Sequence, residues 1–394
     1  MILLEVVFWL SCAAIVWTQA GYAGALAIAV RLPRRAGTKP HARTRGEALI
    51  NQSPLPSLTL IVAAHNEETV IAAKVANALQ LDYPRELLQL IVACDGCNDA
   101  TAEHARQGGA DLVLELPRGG KIRAQDAAVE QAKGEIVAFS DANSLWEPDA
   151  AQQLVGAFLN PRVGYACGQV RFYQPASGDG RPGGANQEGV YWRYEMAVRA
   201  MESQLSSITA GNGAIYASRR SSYIVVDPIM GHDLSLPFNV VKRGQRAVYV
   251  PSARASEKMV PSLSGEFARK RRMMSHTWPI LLRGGMLSPR GYSPGYALMI
   301  VSHRLLRYAS PLLHLLALAC NIALVAAGAG EIYTVTLVLQ WALLVCAGVG
   351  GVVPLRPLLI ARYYVLTTAS AALGLWDWLR HGTEASWEAA EGTR

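Results

Sequence analysis

The strongest constraint on this chain is an uncharged apolar run over residues 6–30. As a helix it is long enough to cross a hydrocarbon core of about 30 Å. A secretory leader would open on basic residues and carry a shorter apolar centre. Here the early charge is Glu5, and the basic residues Arg31, Arg34, Arg35, Lys39, Arg43 and Arg45 come after the run. Positive charge collects on the inner side of a membrane. The pattern therefore predicts an anchor over 1–35 with the N-terminus outside, and an integral inner (plasma) membrane protein whose main body is cytoplasmic.

Composition agrees with a soluble-type domain carrying membrane segments. Apolar residues make up 51% and charged residues 17%, below the usual quarter, and the mean hydropathy is +0.17. The net charge of +7 is concentrated beside apolar stretches, after the first run and at Arg269-Lys270-Arg271-Arg272. That placement suits contact with inner-leaflet lipids and argues against nucleic acid as a partner. Among six cysteines, Cys94 and Cys97 form a lone C-x-x-C with no second pair at metal spacing. They read as reduced residues in a turn.

A basic, turn-rich linker is expected over 36–56. Beyond it, apolar strand patterns at 58–64, 88–94, 111–116, 135–140 and 163–170 alternate with helical patterns at 67–81, 99–108, 121–133 and 148–159. Such alternation predicts an α/β domain over 57–262 with a mostly parallel sheet covered on both faces. Interfacial helices are expected over 263–308 and a transmembrane hairpin over 309–353. The region 354–394 reads as a further apolar span or an interfacial helix followed by a tail, and Arg362 favours the interfacial form.

Ligands bind such sheets at the carboxyl ends of the strands, and acidic residues gather there. The first strand is followed by Ala63-Ala64-His65-Asn66-Glu67-Glu68, the second by Asp95-Gly96-Cys97-Asn98-Asp99, and the fourth by Ser140-Asp141-Ala142-Asn143. Gly231-His232-Asp233 lies farther on. Asp99 and Glu68 read as capping residues. No G-x-G-x-x-G or G-x-x-x-x-G-K-[ST] loop is present, so the acidic strand ends point to nucleotide binding through carboxylates and a metal.

In this order and spacing, these motifs, with Gly119-Gly120-Lys121 and the basic cluster at 269–272, resemble the membrane-bound family 2 glycosyltransferases, which include cellulose, chitin and hyaluronan synthases. The resemblance covers roughly residues 57–280 and implies a GT-A nucleotide-binding domain. It implies that Ala63, His65, Glu67 and Asp95 hold the base and ribose of a nucleotide-sugar donor. Asp95 can accept hydrogen bonds from an imide or a ribose hydroxyl, which favours a UDP-sugar. Lys121, Asp141, Arg269 and Arg272 would serve the diphosphate. The D-x-D motif becomes Asp141-Ala142-Asn143, so Asp141 and Asn143 are the implied ligands of a divalent cation, Mg²⁺ or Mn²⁺. Asp233 matches the Asp of the E-D motif and is implied as catalytic base for an inverting transfer that makes a β-linkage. His232, Trp192 and Tyr194 are placed on the acceptor side, and Gly211-Asn212-Gly213 nearby.

The Q-x-x-R-W motif is altered to Arg269-Lys270-Arg271-Arg272-Met273. Loss of its Trp, together with the few spans, favours adding one or a few sugars to a lipid-linked or oligosaccharide acceptor. A processive polysaccharide synthase and a catalytically silent scaffold are the alternatives. The sequence leaves the oligomeric state open.

Overall fold

The computed structural model describes residues 1–32, 55–173, 185–258 and 263–385. The linker expected over 36–56 lies outside the described residues except for its last two.

Eight strands form one sheet in the order β3-β2-β1-β4-β7-β6-β8-β5. They are β1 (Leu58–Ala64), β2 (Leu88–Asp95), β3 (Leu112–Leu116), β4 (Ile136–Asp141), β5 (Leu145–Trp146), β6 (Val163–Tyr173), β7 (Tyr216–Arg219) and β8 (Arg246–Lys258). The first four strands pair in parallel, as do β6 and β8. β7 runs antiparallel to β4 and β6, and β5 antiparallel to β8. The sheet is thus mostly parallel, as expected. All seven residues of β1 are buried, because helices cover both faces and leave no side for polar residues. One apolar layer joins β1, β2 and β4 to α2 (Ile71–Leu79) and α5 (Ala150–Gly156). The other joins the opposite faces to α4 (Lys121–Glu130), α6 (Ala185–Leu205) and α7 (His232–Lys242). α3 (Thr101–Gln107) follows β2, and its start is set by Asp99, which accepts from Thr101 N at 3.1 Å.

Among the described residues three helices are long and apolar enough to cross a membrane: α1 (Ile2–Arg31), α11 (Glu331–Val349) and α12 (Arg356–His381). The first arm of the expected hairpin, α10 (Ser310–Ala326), reaches that standard only with α9 (Pro294–Tyr308), from which it is bent by 64°. By length and composition α12 is a candidate span, one of the two forms expected after 354. The guanidinium of Arg362 turns back beside Gly351, so its charge lies near the turn that precedes the helix. α8 (Leu263–Leu282) carries the basic cluster and is clamped to α12 by Arg271, whose guanidinium donates twice to Asp377 at 2.6 Å.

α1 and the sheet domain are joined through a buried polar junction. Tyr22 of α1 donates to Glu202 at 2.7 Å, and His303 of α9 meets the same carboxylate at 2.7 Å. Glu195 pairs with Arg307, and Arg304 donates to Thr209 at 2.9 Å. Glu202, His303, Arg304 and Thr209 are all buried. Charges taken this far from water are tolerated only when paired and hydrogen-bonded.

The β-sheet tolerates little intrusion at the turn before β4. A Cβ added at Gly134 would lie 2.4 Å from Thr59 N and 2.7 Å from Ile136 O, both backbone atoms that cannot move alone. Gly134→Ala is expected to destabilise by about 1–3 kcal/mol, read as a lowered thermal midpoint in detergent.

Candidate active site

The acidic strand ends converge through a chain of short contacts. Asp95 is buried at the end of β2. Its carboxylate accepts from Gly119 N at 2.6 Å, from Gly120 N at 3.0 Å and from Arg118 Nη1 at 3.1 Å. Gly120 has φ +95°, a backbone conformation that favours glycine. Asp95 therefore shapes the 118–120 loop, and a base approaching its carboxylate would share it with Arg118. The next residue, Lys121, opens α4 and forms an ion pair with Asp141 of β4. Burial lowers the pKa of Lys121, but the Asp141 charge prevails and holds it above the ordinary lysine value.

The segment 211–213 carries the chain of contacts on to Asp233. A Cβ at Gly213 would lie 3.2 Å from Lys121 Nζ and 3.3 Å from Asp141 Oδ2, so glycine leaves that rim open. Gly211 N donates to Asp233 O at 2.6 Å, and Gly211 O accepts from Arg199 at 2.9 Å. Between them Asn212 is buried, donating to Gly168 O at 2.8 Å and accepting from Ala214 N and Ile215 N. Asp233 sits in the first turn of α7 with its carboxylate folded over Gly231. Asp141 and Lys121 thus lie beside Gly213, while the main-chain carbonyl of Asp233 holds Gly211 of the same tripeptide.

The first-strand loop closes the other side. Ala63 is buried and lies in register with both Ala93 and Asp141. His65 Nδ1 lies 2.7 Å from Asp95 O. Glu67 is buried; its amide donates to Thr101 Oγ1 at 2.7 Å and its carbonyl accepts from Ile71 N at 2.9 Å. Cys94 and Cys97 are free thiols.

Other residues named from the sequence face elsewhere. His232 is directed into the core, 3.2 Å from each of the Tyr216 and Tyr223 hydroxyls, and burial pushes its pKa down to about 3. Trp192 donates to Val170 O at 3.3 Å and packs on Phe172, while Tyr194 donates to Gln19 O of the anchor at 3.0 Å. In this geometry the three side chains pack and hydrogen-bond within the fold. Arg269 is paired with Glu266 at 2.8 Å, and Arg272 stands exposed on the same helix. Asn143 is half-buried on the loop after β4.

Three site residues escape the sequence reading. Lys74 is fully buried beneath the 141–144 loop, donating to Ser144 O at 2.6 Å with its ammonium 5.3 Å from the Trp146 ring. Burial pushes its pKa down to about 7. Glu257, near the end of β8, is pushed up to about 7 by burial and by the Asp141 charge. His276 of α8 lies 3.0 Å from Ile229 O; burial lowers its pKa, and the Asp233 charge opposes that effect.

Residues 56–275 match the family described as glycosyltransferase like family 2, which is more than half of the chain. The chain belongs to that family. This family 2 glycosyltransferase is similar to an N-acetylglucosaminyltransferase of Rhizobium meliloti (strain 1021), 27% identical over 224 residues, covering 52% of this chain and 51% of that one. It is also similar to the poly-beta-1,6-N-acetyl-D-glucosamine synthase of Staphylococcus aureus, 23% identical over 243 residues, covering 59% and 58%. The chain thus spans little more than half the length of these curated relatives. Among solved structures, a mannosyltransferase from Pyrobaculum calidifontis in complex with GDP-Man and Mn²⁺ superposes with a TM-score of 0.69 at 22% identity. That superposition covers 96% of this chain and 99% of the other, and it shows the GT-A fold.

The buried His232 carries a stability signature. Its folded pKa of about 3 lies below the unfolded value of about 6.5, so the unfolded chain binds more protons between these limits. Stability is expected to fall as pH drops from about 6.5 toward 3. Thermal midpoints of His232→Gln should decline less over that window than those of the unaltered transferase.

Proposed function

We propose that this glycosyltransferase moves a sugar from a nucleotide donor, a UDP-sugar, to a lipid-linked or oligosaccharide acceptor at the inner membrane face, with inversion. The observation that carries this reading is the convergence of Asp141, Lys121 and Asp233 on the 211–213 segment. A donor diphosphate needs cationic and hard-ligand groups on one side and a base across from them. The two sides of that segment offer this arrangement.

In this reading the first-strand loop with Ala63, His65 and Glu67 borders the nucleoside, and Asp95 acts mainly by fixing the amides of Gly119 and Gly120. Lys121 faces the phosphates. The residues fit a divalent cation: Asp141 offers a carboxylate and Asn143 an amide oxygen, the hard donors that Mg²⁺ and Mn²⁺ take. Among the described residues no group of three or more His, Cys, Asp or Glu could hold an ion alone, so diphosphate oxygens would complete the shell. When bound, the cation would neutralise charge building on the departing diphosphate. Asp233 takes the proton of the acceptor hydroxyl as it attacks the anomeric carbon. Attack opposite the leaving group turns an α-linked donor into a β-linked product. Arg269 and Arg272 on α8 stand ready for the phosphates or for anionic lipid.

A processive synthase is the second reading. The similarity to a poly-beta-1,6-N-acetyl-D-glucosamine synthase favours it. The absence of the motif Trp at Met273 favours short addition.

Release of nucleoside diphosphate from a panel of nucleotide sugars, with membranes and Mn²⁺ present, tests donor and activity together. UDP-sugars are expected to be turned over, and a guanosine-only preference would refute the assignment. Asp233→Asn is expected to lower turnover by about 10²–10⁴-fold while nucleotide affinity stays near that of the unaltered enzyme.

A further inference from the structure

The loop after β4 offers a cation only one carboxylate, because Asn143 stands where D-x-D would place a second acid. Another carboxylate reaches the same loop from β8. β5 runs antiparallel to β8 with Trp146 opposite Ala255 and Leu145 opposite Ser256. Glu257 directly follows Ser256 and Ser144 directly precedes Leu145, so the two residues flank the last pair of that ladder. Ser144 directly follows Asn143, so the pairing that ends the sheet carries Glu257 to the flank of Asp141-Ala142-Asn143. The surroundings of Glu257 agree with that placement. The Asp141 charge acts on it, and Arg269 and Lys121 offset that charge. Glu257 is half-buried, so a small ion can reach it.

Like charges this near one another are relieved by a cation between them. Lys121 does part of this through its pair with Asp141. Lys74 lies behind the loop, its ammonium turned to Ser144 O. A divalent ion bound by carboxylates gains affinity with each anionic ligand.

We propose that Glu257 is the second anionic ligand of the divalent cation held by Asp141 and Asn143, a carboxylate from β8 taking the place of the missing acid in the D-x-D motif. The inference rests on the assignment of Asp141 to the cation made above.

The test is direct titration of the full chain in detergent micelles with Mn²⁺ alone, the free ion being followed by electron paramagnetic resonance. Glu257→Gln is expected to weaken Mn²⁺ binding by about tenfold or more, a loss on the scale seen when groups ordering a metal site are removed. Asp141→Asn should weaken it at least as much. Adding Asn143→Asp to Glu257→Gln returns a carboxylate to the loop and should recover most of the affinity. If Glu257→Gln binds Mn²⁺ like the unaltered chain while Asp141→Asn does not, Glu257 is not a ligand and the Asp141 assignment stands. If Asp141→Asn also leaves binding unchanged, the assignment beneath the inference fails. Should Glu257→Gln not fold, Glu257→Asp retracts the carboxylate by one methylene, and unchanged Mn²⁺ affinity in that variant would equally overturn the inference.

Discussion

Carboxylates gathered at one rim repel each other, and the Lys121–Asp141 ion pair is the interaction that makes their gathering possible. It ties the first turn of α4 to the end of β4, and Gly213 leaves room directly above it. Asp95 secures the pair from one side by holding the amides just before Lys121. From the other side, the segment 211–213 passes the constraint to the Asp233 backbone. Removing the charge of Lys121 would leave Asp141 and Glu257 to share one region with Lys74 and Arg269 as nearby cationic groups. The site is therefore an electrostatic unit built on several separate stretches of chain.

The parallel half of the sheet was legible because strands covered on both faces leave continuous apolar runs, as in β1 and β4. The acidic strand ends were legible because a charged residue closing a buried strand has few purely structural explanations. The later strands were not. β5 has two residues, and β8 mixes Pro251, Ser252 and Arg254 into its length, so neither shows a clean period. The register between β5 and β8 places Glu257, and no local pattern encodes a pairing between stretches about 110 residues apart. Lys74 was hidden for a related reason. A lone lysine in an amphipathic helix reads as solvated, and only the fold over the Trp146 ring buries it.

At three positions the side chain turns to a partner that its sequence neighbours do not share. His232 follows Gly231 and precedes Asp233, yet successive residues on a helix point about 100° apart, and His232 falls on the inward face. Trp192 and Tyr194 lie in an aromatic stretch suited to stacking on sugars. The structure uses one against β6 and the other against the anchor helix. The solved neighbour holding GDP-Man shares the architecture of this chain, and a shared fold does not by itself set which sugar is moved.

The buried junction between α1, α6 and α9 has a practical consequence for handling the enzyme. A soluble fragment cut before residue 57 would discard Tyr22 and strip one partner from Glu202, whose carboxylate also serves His303 and Thr209. Trimming the carboxyl-terminal helices instead would remove His303, Arg304 and Arg307, stripping Glu195 of its ion pairs and taking His303 from Glu202. Catalytic body and hydrophobic base share one polar keystone, so protein for purification or crystallisation is better taken whole in a lipid mimic than as an excised domain.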